Sequence, residues 1–205
     1  MLGNIFKGFS MNCHMLIGLT GRIGSGTDTF GKILVKKGFE RISLSDYLRE
    51  EMKAQNIEIN RKNMQDFGDK IRKEEGQGAL VKKIVSENKL NTGKNYVIES
   101  IRNPGEVEEL RKLNSFTLVL IDAPIEIRFS RVLRRSRDDD EPKTIEEFKK
   151  WEEKDLGINQ PKHGQQHLAV FKLADRKIIN NSTIKELTKK AEKLLKKLKS
   201  KKQNS

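Results

Sequence analysis

Apolar positions along the chain fall into two alternating patterns, short continuous runs and stripes at helical spacing. Met15 to Leu19 is an apolar run that passes through Thr20-Gly21 into a glycine-rich turn, and Phe30, Ile33 and Leu34 then recur at helical spacing. That order predicts strand, loop, helix. Phe39 to Ser43 predicts a second strand, followed by a helix through Tyr47, Leu48 and Met52 with Glu50 and Glu51 near its start. From Asn60 to about Leu90 the pattern is helical through Met64, Phe67, Ile71, Leu80, Ile84 and Val85, and Gly76-Gln77-Gly78 divides it into two helices.

Tyr96 to Glu99 and Phe116 to Ile121 have the length and continuous apolar character of strands covered on both faces. Between them Pro104 opens a helix carrying Val107, Leu110 and Leu113. A further helix is expected from Ile125 to Arg137 and is stopped by the acidic run Asp138 to Glu141 and Pro142. The polar stretch 138–172 reads as a mobile flap. Arg176 to Ile179 gives a last strand, and Ile184, Leu187, Ala191, Leu194, Leu195 and Leu198 an amphipathic closing helix. Strands joined by helical crossovers predict an α/β fold, a three-layer, doubly wound parallel five-stranded sheet that binds ligands beyond the carboxyl ends of its strands.

Composition narrows this little. A chain of 205 residues with 35% hydrophobic content supports one domain with a substantial core. The lone cysteine, Cys13, excludes an intramolecular disulfide and suits a reducing, cytoplasmic setting. Apolar runs of about six residues are far short of the roughly 20 that span a bilayer. Residues 1–14 lack the sustained apolar segment of a signal peptide and read as an extension; residues 201–205 read as a disordered tail. The net charge of +13 would suit a polyanionic partner, and Lys185 to Lys202 holds nine lysines against Glu186 and Glu192. A lysine-rich helix of this kind is more often a solvated face than a nucleic-acid surface.

The chemistry is concentrated in Gly21-Arg22-Ile23-Gly24-Ser25-Gly26-Thr27-Asp28-Thr29, which follows the first strand and opens the first helix. Glycines there let successive backbone N–H groups converge on an anion at a positive helix end. Measured against G-x-x-x-x-G-K-[ST], Gly21 and Gly26 fit, Thr27 stands where lysine belongs, and Asp28 where the Mg²⁺-binding hydroxyl belongs. Asp28 has two readings, a direct Mg²⁺ ligand or a helix-start residue stabilised by the dipole. Arg22 is a candidate to replace the lost cation or an ordinary exposed loop residue. Arg128, Arg131 and Arg135 share a helical face that could meet a triphosphate, or pair with the acidic run after it. Glu99, at the end of an apolar strand, needs a cation, Mg²⁺ or a basic side chain. Asp46 is a candidate proton acceptor or a helix-start residue. His14, His163 and His167 show no metal spacing and read as surface residues; Trp151 with Phe148 reads as packing rather than base stacking.

From residue 15 to 198 the chain resembles the nucleoside monophosphate kinase and dephospho-CoA kinase branch of P-loop kinases. Ile17 to Gly26 is similar to the first strand and loop of dephospho-CoA kinases up to the missing lysine. Ile42-Ser43-Leu44-Ser45-Asp46-Tyr47-Leu48-Arg49 resembles the adenylate kinase segment whose arginine holds the acceptor phosphate, which implies that role for Arg49. Val97-Ile98-Glu99-Ser100-Ile101-Arg102 resembles the third-strand motif in which a carboxylate organises Mg²⁺ and an arginine grips the acceptor, implying Glu99 and Arg102. Asp122-Ala123-Pro124-Ile125-Glu126 with Arg131 and Arg135 is similar to the segment leading into the lid, where Arg131 would lie near the donor base or phosphate and Arg135 would reach the phosphates.

The resemblance divides residues 15–200 into a core, an acceptor-binding helical insertion at about 45–92 and a lid-like segment at about 136–172. It implies ATP or GTP with Mg²⁺ and a small phosphorylated acceptor. Two functions follow: a γ-phosphoryl transferase acting on a nucleoside monophosphate or dephospho-CoA-like acceptor, or, because of Thr27, a catalytically weak nucleotide-binding regulator. Nucleic-acid binding through the lysine-rich helix is a third and lesser reading.

Overall fold

The computed structural model describes residues 15–87, 90, 93–113, 115–135, 142–158 and 161–203. The expected N-terminal extension with Cys13 and His14, the acidic run 138–141 and the last two residues of the tail lie outside them. Five strands, β1 (Met15–Gly21), β2 (Phe39–Ser43), β3 (Asn95–Glu99), β4 (Phe116–Asp122) and β5 (Arg176–Ile179), form one sheet in the order β2-β3-β1-β4-β5. Every pairing is parallel. The fold is the three-layer α/β arrangement expected from the sequence.

Residue parity assigns the two sheet faces, because successive strand side chains point to opposite sides. Met15, Ile17 and Leu19 of β1 face one core with Val97, Val119 and Ile121. Leu16, Tyr96, Ile98 and Leu118 face the other. The first core is covered by α1 (Thr27–Lys36) through Phe30, Ile33 and Leu34 and by α9 (Ile184–Gln203) through Leu187, Ala191, Leu194 and Leu195. The second is covered by α2 (Leu44–Ala54), α3 (Arg61–Glu75), α4 (Ala79–Ser86), α5 (Pro104–Arg111) and α8 (His167–Lys172).

Local chemistry sets the boundaries. Ser43 caps α2 by accepting from the Asp46 N–H, Asn60 caps α3, and Gly76 at φ 99° ends it where Gly76-Gln77-Gly78 was expected to break the helix. Asn103 caps α5 in a full capping box with Glu106. One expectation fails in part. The second half of the stretch read as a flap is core: Val170 of α8 is fully buried. Before it, α7 (Ile145–Asp155) seals against α6 (Ile125–Arg135), with Phe148 fully buried and its ring 5.6 Å from Phe129. The polar average over 138–172 hid this, because it masks the short apolar run Leu168 to Phe171 and the Ile145, Phe148, Trp151 spacing.

Candidate functional site

In a parallel sheet the ends of β1 and β3 lie side by side, so the loop after β1 and the residues after β3 share one rim. The loop from Gly21 to Gly26 runs into α1, whose N-cap Gly26 sits at φ 95° with no side-chain cap. The first-turn amides of Thr27, Asp28 and Thr29 are therefore left for an anion. Behind the loop, Arg128 Nη1 donates to the Ile23 carbonyl at 3.3 Å, Arg131 Nη1 to those of Gly24 and Ser25 at 3.2 Å each, and Asn180 Nδ2 to that of Ser25 at 2.8 Å. No peptide among the described residues is cis. In a trans peptide the N–H opposes the C=O, so tying these carbonyls back turns the Gly24 and Gly26 amides forward. Glycine is required at both: a Cβ would lie 2.5 Å from the Arg128 carbonyl at Gly24 and 2.3 Å from Asn180 Nδ2 at Gly26.

The arginines expected near phosphate are placed in this scaffold. Arg128 is buried and pairs with Glu152 of α7 through both carboxylate oxygens, and Arg22 Nη1 reaches the same carboxylate at 3.2 Å. Arg128 therefore does not share an exposed face with Arg131 and Arg135, because burial of Glu152 requires its cation. Arg131 braces the loop from behind and also donates to the Asn180 carbonyl at 3.0 Å. Its guanidinium pKa is lowered by burial and by Arg134. Arg135 lies exposed at the end of α6. The first residue of α1 is Thr27, whose side chain carries no charge.

Glu99 ends β3, with its side chain 4% exposed. Its Oε2 accepts from Arg41 Nε at 2.6 Å, while Oε1 is enclosed and has no hydrogen-bond partner. Burial raises the Glu99 pKa, outweighing Arg41, and the nearby charges of Asp28 and Asp46 add to the rise. A cation other than Arg102 thus answers the expectation that Glu99 needs one. Arg41 also donates to Asp46 Oδ2 at 2.8 Å, and Arg49 to Asp46 Oδ1 at 2.6 Å. Burial would raise the Asp46 carboxyl, but Arg41 and Arg49 hold it below the usual range. A carboxylate in two ion pairs is a weak base, so this geometry favours orientation of the two arginines over proton transfer.

The group of carboxylates fits Mg²⁺ only as part of a shared shell. Among the described residues no cluster of three or more His, Cys, Asp or Glu could hold a metal ion alone. An orphaned oxygen on Glu99, with Asp28 close enough to raise its pKa, does suit a hard cation whose remaining ligands are phosphate oxygens and water.

Beyond Glu99 lies a cleft between α2, α3 and the β3–α5 turn, lined by the apolar Leu44, Leu48 and Met64 and by Ser45, Ser100 and Arg102. Ser100 stands at φ 64°, a left-handed conformation uncommon for a residue with a side chain, and its Oγ lies 3.0 Å from that of Ser45. Glu106 fixes the turn by accepting from the Arg102 and Asn103 amides at 2.7 and 3.1 Å and from Arg72 Nε at 2.9 Å.

Arg41 and Glu152 were not legible as site residues, since neither belongs to a motif and their distant partners, Glu99 58 positions from Arg41 and Arg22 130 positions from Glu152, leave no local signal. Of the histidines read as surface residues, His163 and His167 are half-buried, and His167 Nε2 is enclosed without a partner. Burial, helped by Arg102, Arg72 and Arg61, lowers its pKa to about 3. Trp151 packs as expected, under the Arg61 guanidinium 4.1 Å from its ring centre.

Residues 17–155 match the family described as AAA domain. The UPF0200 protein of Sulfurisphaera tokodaii is 35% identical over 192 residues, covering 92% of this chain and 99% of that one. The UPF0200 protein of Pyrococcus horikoshii is 34% identical, covering 90% and 97%. Among solved structures, TT1252 from Thermus thermophilus aligns with a TM-score of 0.57 at 21% identity, over 90% of this chain and 97% of that one. Shikimate kinase from Acinetobacter baumannii, in complex with shikimate, aligns at 0.55 and 17% identity over 92% and 94%. The structural likenesses establish a P-loop kinase-like fold.

Proposed function

The chain belongs to the AAA domain and UPF0200 families, and from that premise we propose that it is a phosphotransferase. It moves the γ-phosphoryl of ATP or GTP, with Mg²⁺, to a nucleotide-type acceptor such as a nucleoside monophosphate or a dephospho-CoA-like molecule. The observation that carries the reading is the shared rim: an uncapped phosphate loop on one side, a polar cleft with Arg102 on the other, and between them Glu99, whose Oε1 has no partner while Oε2 is held by Arg41.

In this reading the Gly24 and Gly26 amides and the first turn of α1 hold the donor phosphates. Glu99, with Asp28, holds Mg²⁺, which when bound neutralises charge on the β- and γ-phosphates. Arg41 keeps the Glu99 carboxylate in place, Asp46 orients Arg41 and Arg49, and Arg49 and Arg102 grip the acceptor's phosphate. Arg131 acts through the loop that it braces. Arg135, at the exposed end of α6, is the arginine that reaches the donor phosphates. The cell compartment is the cytoplasm.

Thr27 removes a point charge from phosphoryl transfer, whose catalysis is mostly positioning and electrostatics; a preorganised donor of this kind contributes roughly 2.7 to 4 kcal/mol. The test is transfer of labelled γ-phosphate from ATP or GTP, with Mg²⁺, to a panel of monophosphates and dephospho-CoA. Thr27→Lys is run in parallel. Turnover by the natural protein, raised about 10²-fold or more by Thr27→Lys, is expected. Nucleotide binding with no transfer by either form would sink the phosphotransferase reading and leave a nucleotide-binding regulator.

A further inference from the structure

Gln165 is 4% exposed, lines the acceptor cleft opposite Ser45 and Ser100, and its Oε1 is enclosed without a hydrogen-bond partner. Leaving a buried amide oxygen unsatisfied is costly, and native structures seldom keep one without a use.

The placement of Gln165 is built. Asn103 Nδ2 donates to the carbonyls of Lys162 and Gly164, each at 2.9 Å, and the Gln166 N–H donates to the Arg102 carbonyl at 2.7 Å. Gly157, at φ 80°, lets the end of α7 close on this loop: a Cβ there would lie 2.3 Å from the Gln165 carbonyl. The segment is thus pinned to the same turn that carries Arg102. Two residues on, His167 presents a second enclosed, unpartnered atom, Nε2. Leu44, Leu48 and Met64 line the same cleft and give it apolar surface of the kind on which a base packs, and Arg102, also in the lining, carries the charge that a phosphate requires.

We propose that Gln165 reads the base of the acceptor, and that the cleft selects a nucleoside monophosphate bearing an exocyclic amino group. The inference rests on the acceptor-site reading above. An amide oxygen only accepts, so it bonds an amino N–H and is repelled by a keto oxygen in the same place.

The experiment is calorimetric titration of the full chain with AMP, IMP, CMP and UMP, using the natural protein, Gln165→Leu and Gln165→Glu. In at least one amino/keto pair, AMP over IMP or CMP over UMP, the amino form is expected to bind about tenfold tighter. Gln165→Leu should abolish that preference, and Gln165→Glu, which keeps an acceptor oxygen, should retain it. Equal binding within both pairs, or a preference that survives Gln165→Leu, overturns the inference while leaving the acceptor site intact. If no monophosphate binds, the nucleotide-acceptor reading itself falls and this inference with it. Should Gln165→Leu fail to fold, the comparison within each pair on the natural protein still decides.

Discussion

The glycine-rich loop after β1 and the cleft beyond Glu99, on one rim of the sheet, manage their charged groups in different ways. Around the loop Arg22, Arg128 and Arg131 are engaged by Glu152 or by loop carbonyls, and the loop's own position for a catalytic cation holds Thr27. Across the rim, Glu99, Gln165 and His167 each keep an enclosed atom without a partner. The loop's carbonyls are tied back while its first-turn amides and the buried Ser25 Oγ have no side-chain partner; the cleft side carries a left-handed Ser100 and enclosed oxygen and nitrogen atoms without partners.

The sharpest break of that contrast is Arg128→Ala. It leaves Glu152, 7% exposed, with Arg22 as its remaining cation and releases the Ile23 carbonyl. Removing one member of a buried pair costs about 3–5 kcal/mol, to be read from the urea midpoint, and Arg128→Ala/Glu152→Ala together should cost less than the sum of the two single changes.

A smaller effect probes the joint between the two regions. At Gly31 of α1 a Cβ would lie 1.7 Å from Glu99 Oε1. Alanine in a helix interior ordinarily stabilises by up to about 1 kcal/mol, but overpacking costs about 1–3 kcal/mol, and a buried carboxylate held by Arg41 has little room to retreat. Gly31→Ala should therefore lower thermal stability. In a Glu99→Ala background the same change should raise it, and the sign reversal is the measurement.

The smallest concerns His167 and pH. Its folded pKa, lowered to about 3, lies below the 6.5 of an unfolded histidine. The unfolded chain then binds the extra proton, so this contribution is fully present above about pH 6.5 and is lost as pH falls from there toward 3. Between pH 7 and 5.5 the loss is about 1 kcal/mol. His167→Gln should flatten that part of the urea-derived stability profile; an unchanged profile would mean that the imidazole is not held neutral in the fold.

Much of the fold was legible because its signals are local. Phe39 to Ser43 and Arg176 to Ile179 are strands at the expected residues, and Gly76 and Pro104 bound helices where backbone chemistry requires. The phosphate loop was legible for the same reason, being nine consecutive residues. The flap expectation failed because the apolar run Leu168 to Phe171 and the Ile145, Phe148, Trp151 spacing are short and set in a polar, Pro- and Gly-containing stretch, so that the average over 138–172 masks them.

The sequence by itself determined the five strands and the helices other than α7 and α8, the position of the loop and the absence of lysine at residue 27, since each depends on neighbouring residues or on periodicity. Only the tertiary structure decided which charges meet. Arg41 reaches Glu99 across 58 positions, Arg22 reaches Glu152 across 130, and Asn180 reaches Ser25 across 155. Electrostatic pairing depends on distance in space, and parallel crossovers bring together chain segments whose local patterns carry no record of one another.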